Sequence, residues 1–292
     1  MLIRINNFIK DNNNKMIYDI FPPSEALQGI VKQYLVINSL DGIEEILFLP
    51  NGCNFIVFNR GVKGYSKVYN GDGKYEMPEK YSISVKTNKV KSFVFSNSTI
   101  EEVEFPIILT ELTPVGYYIL FNKQTSDLKT TYQELEDDIV ETYFKDLYTH
   151  NNIQEELEYL NTSLNELKLA QNTPHVMALD VIDEIINTYR FEVTVEHLAK
   201  EFGCSRSTLE RQFKTVVGLT PKNFIFVAKF CKTVLAYIND KSTFNELEYL
   251  YSDNSHMNAV FKKFLGVGPS VLLAEVAKNN LLVYQAKRLK SS

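Results

Sequence analysis

The sequence predicts an α+β protein, with a small N-terminal β-barrel or sandwich carrying appended helices and a C-terminal all-α domain of two helix-turn-helix units. Three observations predict it. Short apolar runs separated by turn residues fill roughly the first 112 positions. The hydrophobic period becomes helical after Pro114. The last hundred or so positions repeat themselves at a fixed offset. A length of 292 residues fits two domains. The boundaries are expected at 1–170 and 175–292.

The β reading rests on apolar runs and their punctuation. Ile46–Leu49 stops at Pro50-Asn51-Gly52, and Cys53–Phe58 resumes. Gly61, Gly64 and Asn70–Gly73 mark further turns, Tyr81–Val85 alternates, and Val103–Leu112 ends at Thr113-Pro114. Strands this short and this closely spaced suggest a barrel or sandwich. Val115–Phe121 then reads as a helix, with Thr113 as its expected cap and Pro114 at its first position. Leu135–Leu147 and Ile153–Leu169 carry apolar residues at helical spacing, including the stripe Leu157, Leu160, Leu164 and Leu167. Ala170–Pro174 breaks the pattern as an interdomain linker would, and Val176–Tyr189 starts the second domain as a helix.

At an offset of 48 the C-terminal region aligns with itself: Ser207 with Ser255, Leu209 with Met257, Phe213-Lys214 with Phe261-Lys262, Val217 with Leu265, Gly218 with Gly266, and Pro221 with Pro269. Gly and Pro are sparse in this chain, so their coincidence implies two copies of one supersecondary unit. In the first copy, Thr194 is expected to cap a helix from Val195 to Phe202, ended by Gly203. Ser205 caps the next helix, whose inner face is Leu209, Phe213 and Val216 or Val217, and Gly218 ends it. Thr220-Pro221 opens a linking helix over about 221–238. The units span about 194–217 and 243–265, each a pair of short helices at a tight turn.

The outward face of the second helix carries Arg206, Ser207, Thr208, Glu210, Arg211 and Lys214. Arg can bond guanine twice, Ser and Thr can bond bases either way, and Lys can hold phosphate. Any solvated helix carries such groups, but this one belongs to a duplicated unit. Charge agrees: residues 190–292 hold 15 Lys and Arg against 9 Asp and Glu, while the rest hold 16 against 27, giving the overall −5. A positive module on an acidic carrier suits phosphate binding. A linking helix of about 18 residues spans about 27 Å, against about 34 Å between neighbouring major-groove segments. With the units' own widths, one chain can reach both.

These stretches resemble the AraC family of transcription activators. TVEHLAKEFGCSRSTLERQFKTVVGLTPKNFI is similar to the family's first unit, and FNELEYLYSDNSHMNAVFKKFLGVGPSVL to its second. The resemblance implies seven helices, with the second helix of each unit in the major groove. It makes Arg206, Ser207, Glu210 and Arg211 base-facing in the first unit, and Asn254, Ser255 and Asn258 in the second, with Lys214 and Lys262 near phosphates. It also implies a dimer and contact with RNA polymerase. FLPNGCNFIVFN and LTPVGYYILFNKQTSDL resemble the sensor half of some members, implying an effector or dimer contact there.

The chain departs from the family pattern. The first helix of the second unit is shorter, Leu250 stands where a Gly is usual, Ala259 stands where Arg is frequent, and Phe224–Ala228 make the linking helix unusually apolar. Hence the first unit is expected to read sequence, while the second contacts backbone or packs on protein. The alternative is a protein-interaction factor that keeps the fold without specific DNA affinity.

Other chemistries are set aside. His150, His175, His197 and His256 show no metal spacing, no phosphate-cradling glycine pattern occurs, and no carboxylate-histidine constellation supports an enzyme. No metal or cofactor is expected. Cys53, Cys204 and Cys231 are too scattered for a disulfide framework, and Cys53 reads as a buried small residue. Phe55, Phe58, Tyr65 and Tyr81 read as core before they read as a pocket lining. MLIRINNFIKDNNNK carries no secretory apolar run, so a cytoplasmic protein with reduced thiols and no membrane span is expected. The leucine stripe packs on its own barrel or forms a dimer helix.

Overall fold

The computed structural model describes residues 18–39, 45–58, 66–68, 75–76, 83–87, 93–96, 106–125, 132–188, 190–239, 251, 253–277 and 281–283. The turns expected at Gly61, Gly64 and Asn70–Gly73, the aromatics Tyr65 and Tyr81, and the short helix expected after residue 243 lie outside them.

Apolar runs form strands where turn residues interrupt them, as expected. β1 (Tyr18–Phe21), β2 (Val31–Ile37), β3 (Glu45–Phe48), β4 (Asn54–Phe58), β5 (Ser66–Val68), β6 (Tyr75–Glu76), β7 (Ile83–Thr87), β8 (Phe93–Ser96), β9 (Ile107–Leu112) and β10 (Tyr132–Glu134) precede the main helical region. One sheet has the order β1-β2-β9-β4-β7-β10 and is antiparallel throughout. The other has the order β11-β3-β8-β5-β6. Its β11 (Leu281–Val283) comes from the far end of the chain and runs parallel to β3, with Leu281 opposite Glu45 and Val283 opposite Leu47. The chain beyond the helical units thus returns to the N-terminal sheet, a contact between segments too distant for periodicity to reveal.

The β2–β9 register breaks between Val31 and Gln33. Lys32 is the extra residue of this bulge, and the break aims two successive side chains at one acceptor. Lys32 Nζ donates to Glu111 Oε1 at 2.7 Å and Gln33 Nε2 to Glu111 Oε2 at 2.7 Å. Asn51 Nδ2, from the β3–β4 turn, donates to Oε1 at 3.0 Å. The carboxylate is buried and takes three donors, which is how a buried charge is held. Burial pulls the Lys32 ammonium down, but the charge and hydrogen bond of Glu111 outweigh it and raise it.

The helices follow the sheets. α1 (Gly116–Phe121) starts without the expected cap: the Thr113 hydroxyl instead donates to the Gly29 carbonyl at 2.8 Å, tying β9 to the start of β2. α2 (Asp137–Ile139) continues in wider turns over Val140–Phe144, and α3 spans Ile153–Gln171. Leu157, Leu160, Leu164 and Leu167 of α3 are buried against Ile56, Phe58, Ile108, Tyr117 and Leu120. Of the two uses open to this stripe, packing on its own barrel is the one observed. α4 (Met177–Asp183), α5 (Val195–Glu201), α6 (Arg206–Val217), α7 (Pro221–Asn239), α8 (Asn254–Leu265) and α9 (Pro269–Ala277) complete the described helices.

Two cores share α7. Phe224 and Ile225 join Leu198, Leu209, Phe213 and Val217 of the first unit, together with Tyr118 of α1. Val227, Phe230 and Val234 join Met257, Phe261 and Leu265 of the second, together with Leu47 and Leu49 from β3 and its turn. Part of the apolar excess of the linking helix, Phe224 and Val227, therefore meets the N-terminal domain, while Phe226 remains exposed.

Two predictions follow from this packing. Phe213→Ala and Phe261→Ala, at fully buried equivalent positions, each destabilise the fold by about 3–5 kcal/mol, measured by denaturant titration. Burial pushes the Cys53 thiol up to about 12, partly offset by Lys32. The unfolded chain then loses this proton first, so stability falls as pH rises past the ordinary cysteine value of 9.0, and the raised Lys32 adds a further loss past the ordinary lysine value of 10.5. Melting temperature is expected to hold between pH 7 and about 8.5 and to decline above it.

Candidate nucleic-acid interface

The repeat is realised helix for helix. α6 and α8 are each 12 residues long, and their limits differ by the same 48 positions as the sequence repeat. Each has a side-chain cap. The Ser205 hydroxyl accepts from Thr208 N–H at 3.1 Å, and Asp253 Oδ1 accepts from His256 N–H at 2.8 Å. Each ends on a left-handed glycine, Gly218 at φ 77° and Gly266 at φ 75°, whose N–H closes onto Lys214 and Lys262 respectively. A side chain at either position would strain the backbone, which explains why the sparse glycines recur.

α5 supports α6 as the sequence suggests. The Thr194 hydroxyl accepts from His197 N–H at 3.2 Å, Ala199 is buried at the crossing, and Gly203 makes the turn at φ 62°. Ahead of α5, Arg190 and Phe191 both have positive φ, 48° and 71°. That conformation is costly for a Phe. It is held because the Phe191 ring packs on Phe224 at 5.7 Å, Lys232 sits 5.3 Å over it, and Lys229 pairs with Glu192 at 2.9 Å. The loop thereby straps the first unit to α7.

The outward positions divide into engaged and open groups. Arg206 Nη1 donates to Glu196 Oε1 of α5 at 2.6 Å, and its Nε to Glu210 Oε1 at 2.8 Å. The Glu210 hydrogen bond, then the charges of Glu210 and Glu196, raise the Arg206 pKa further. Arg206 and Glu196 are exposed and Glu210 is half-buried, so the pairs are largely solvent-screened and contribute little to stability. The Ser207 and Thr208 hydroxyls lie 3.0 and 2.9 Å from the Ser205 hydroxyl, within the cap. Arg211 and Lys214 are exposed further along the same helix. In α8, Asn254, Ser255, Asn258 and Lys262 are exposed, and Asn258 Nδ2 donates to its own helix at the Asn254 carbonyl, 2.8 Å away. Lys263, not among the expected contacts, is exposed beside Lys262 and lies 5.4 Å over the Phe264 ring. The Lys-Lys pair was its visible signal. Glu196 gave none, because it reaches Arg206 across the turn between two helices.

Residues 198–275 match the family model described as "Helix-turn-helix domain". This stretch is an AraC-type helix-turn-helix domain. With it, the chain is a DNA-binding transcription regulator. No curated protein sequence matches the chain. Solved structures of ToxT from Vibrio cholerae resemble it distantly. A ligand-free variant of ToxT is 13% identical, with 82% of this chain and 97% of that one covered and a TM-score of 0.43. ToxT with an unsaturated fatty acid bound gives 13%, 82%, 94% and 0.42. A further ToxT structure gives 13%, 82%, 93% and 0.40. Overlaps this low leave the site to be read from this chain's own residues. Among the described residues no group of His, Cys, Asp and Glu is placed to hold a metal, and no helix is long and apolar enough to cross a membrane.

The helix-turn-helix caps are testable without DNA. Ser205→Ala and Asp253→Ala each remove one acceptor from a helix start and are expected to lower stability by about 1 kcal/mol, by thermal unfolding. No loss for either variant would mean that the cap is redundant.

Proposed function

We propose that this regulator binds duplex DNA with α6 and α8 in successive major grooves, and that Arg206, Ser207, Thr208, Glu210, Arg211, Lys214, Asn254, Ser255, Asn258 and Lys262 line the contact. The observation that carries the reading is the equivalence of α6 and α8, two capped helices of equal length with exposed basic faces, spaced by α7. Its 19 residues span about 28 Å. The domain boundary belongs at about 171–174, after α3. The N-terminal domain senses an effector or pairs with a second copy, and RNA polymerase is the downstream partner by family resemblance. A cytoplasmic site of action follows from the same reading.

The two helices differ in what they offer. Arg211 and Lys214 give α6 a positive edge, and α8 has Ala259 in place of the first of them. Asn258 already satisfies part of its bonding within its own helix. The first unit therefore reads sequence, and the second mainly holds backbone. A protein-interaction factor is the competing reading, favoured by the pairing of Arg206 with two carboxylates.

Genomic footprinting of the tagged chain, followed by binding to an enriched duplex at several salt concentrations, decides between them. Affinity is expected to fall by several decades per decade of salt, about 0.9 per neutralised phosphate. An affinity indifferent to salt overturns the proposal and favours the interaction factor. On the same duplex, Arg211→Ala is expected to lose base discrimination by about ten-fold or more, and Asn258→Ala to weaken all sequences alike. Equal loss of discrimination contradicts the division of labour.

A further inference from the structure

We infer that the β3–β4 turn, Phe48–Cys53, sets the angle between α6 and α8 and so determines which half-site spacing the chain accepts on DNA. This rests on the reading of α6 and α8 as the DNA-contacting helices and concerns what fixes their relation.

The turn touches α7 where the helix passes from one unit's core to the other's. Leu49 packs in the second unit's core with Val227, Phe230 and Val234. Three residues further on, Gly52 lies against Phe224 of the first unit's core, so closely that a Cβ there would sit 2.6 Å from Cε2 and 2.8 Å from Cδ2 of the ring. Between them, the Pro50 carbonyl accepts from the Cys231 thiol. One short turn thus holds both halves of α7. Phe191 and Phe213 flank the ring at 5.7 and 5.6 Å and oppose its swinging aside.

The turn is itself held. Asn51 Nδ2 donates to the buried Glu111 carboxylate, and Asn51 Oδ1 accepts from Cys53 N–H at 3.0 Å. Glu111 is fixed in turn by Lys32 and Gln33. Gly52 has φ 77°, so the close approach depends on glycine twice, for backbone and for space. The two unit cores hold this 19-residue helix from opposite ends of its buried face, and the barrel adds contacts on both sides of residue 226.

Spacing on DNA reads this angle. One inserted base pair moves a half-site by about 3.4 Å and turns it by about 35°. A rigid α7 therefore accepts one spacing, and a loosened one accepts several.

The test uses the full chain and duplexes enriched from a random pool by the wild-type protein. Base pairs are then inserted or removed between the two enriched halves. Wild type is expected to prefer one spacing and to lose about ten-fold one base pair away. Gly52→Ala pushes on Phe224, and Leu49→Ala opens space beneath the turn. Both are expected to shift or flatten the profile by about that factor, while binding to an isolated half-site stays within about two-fold. Gly52→Ala combined with Phe224→Leu removes the struck ring edge and moves the profile back towards wild type. If Gly52→Ala does not fold, Leu49→Ala decides. A folded Leu49→Ala or Gly52→Ala chain with the wild-type profile overturns the inference, as does an enriched site with one half only. A pool that yields no enriched duplex instead defeats the DNA reading itself.

Discussion

The arrangement of this protein depends on one constraint, the burial of α7 against three bodies at once. Its first turns complete the core of the first helix-turn-helix unit through Phe224 and Ile225, and its middle completes the second through Val227, Phe230 and Val234. The β3–β4 turn lies along both. A helix that separated two independent units would need only a narrow apolar stripe for each. The run Phe224–Ala228 is broader than that: the barrel's turn meets Phe224 and Val227, while Phe226 stays exposed beside Phe264 of the second unit. The C-terminal strand β11 adds a second attachment, because it pairs with the same β3 that contributes Leu47 and Leu49. The DNA-binding region is thereby fastened to the sheet before and after its helices.

Such fastening changes what the N-terminal domain can do. Energy passes between distant sites only where a packed element has two discrete arrangements that both sites bias. The bulge at Lys32, the carboxylate of Glu111 and the side chain of Asn51 form a continuous polar path from the sheet to the turn on α7. The path ends in apolar contacts too tight to deform gradually, since a ring wedged beside a glycine either fits or repacks. Change in the barrel therefore has a short mechanical route to the two helix-turn-helix units through packed contacts.

Legibility in the sequence followed the range of each interaction. The caps at Thr194, Ser205 and Thr220, the glycines ending α6 and α8, and the leucine stripe of α3 are set by neighbours within a turn or two, and period and punctuation were enough to place them. Thr113 failed as a cap because its hydroxyl found the Gly29 carbonyl, 84 positions away. The Lys32–Glu111 pair depends on a register break that no hydrophobic pattern encodes. β11 was read as part of an all-α region because its strand character comes from a partner more than 200 positions distant. The surplus of apolar residues in the linking helix was visible as an anomaly, but its partner was not.

The candidate site shows the same limit in electrostatic form. A positive balance over residues 190–292 counts charges without regard to their neighbours, and Arg206 enters that count as a free cation. In the fold it lies between Glu196 and Glu210, so the local field near the start of α6 is weaker than the count implies. Arg206 and Glu196 are exposed and Glu210 is half-buried, and solvent screens both pairs enough for a phosphate, with more accepting oxygens and more charge, to compete for the guanidinium. On the proposed reading, Arg206 is less a fixed contact than a guarded one, given up by the two carboxylates to a stronger acceptor. The cost of freeing Arg206 is common to every ligand that displaces the two carboxylates, so it lowers their affinities alike; discrimination between them rests on the contacts made once the guanidinium is free.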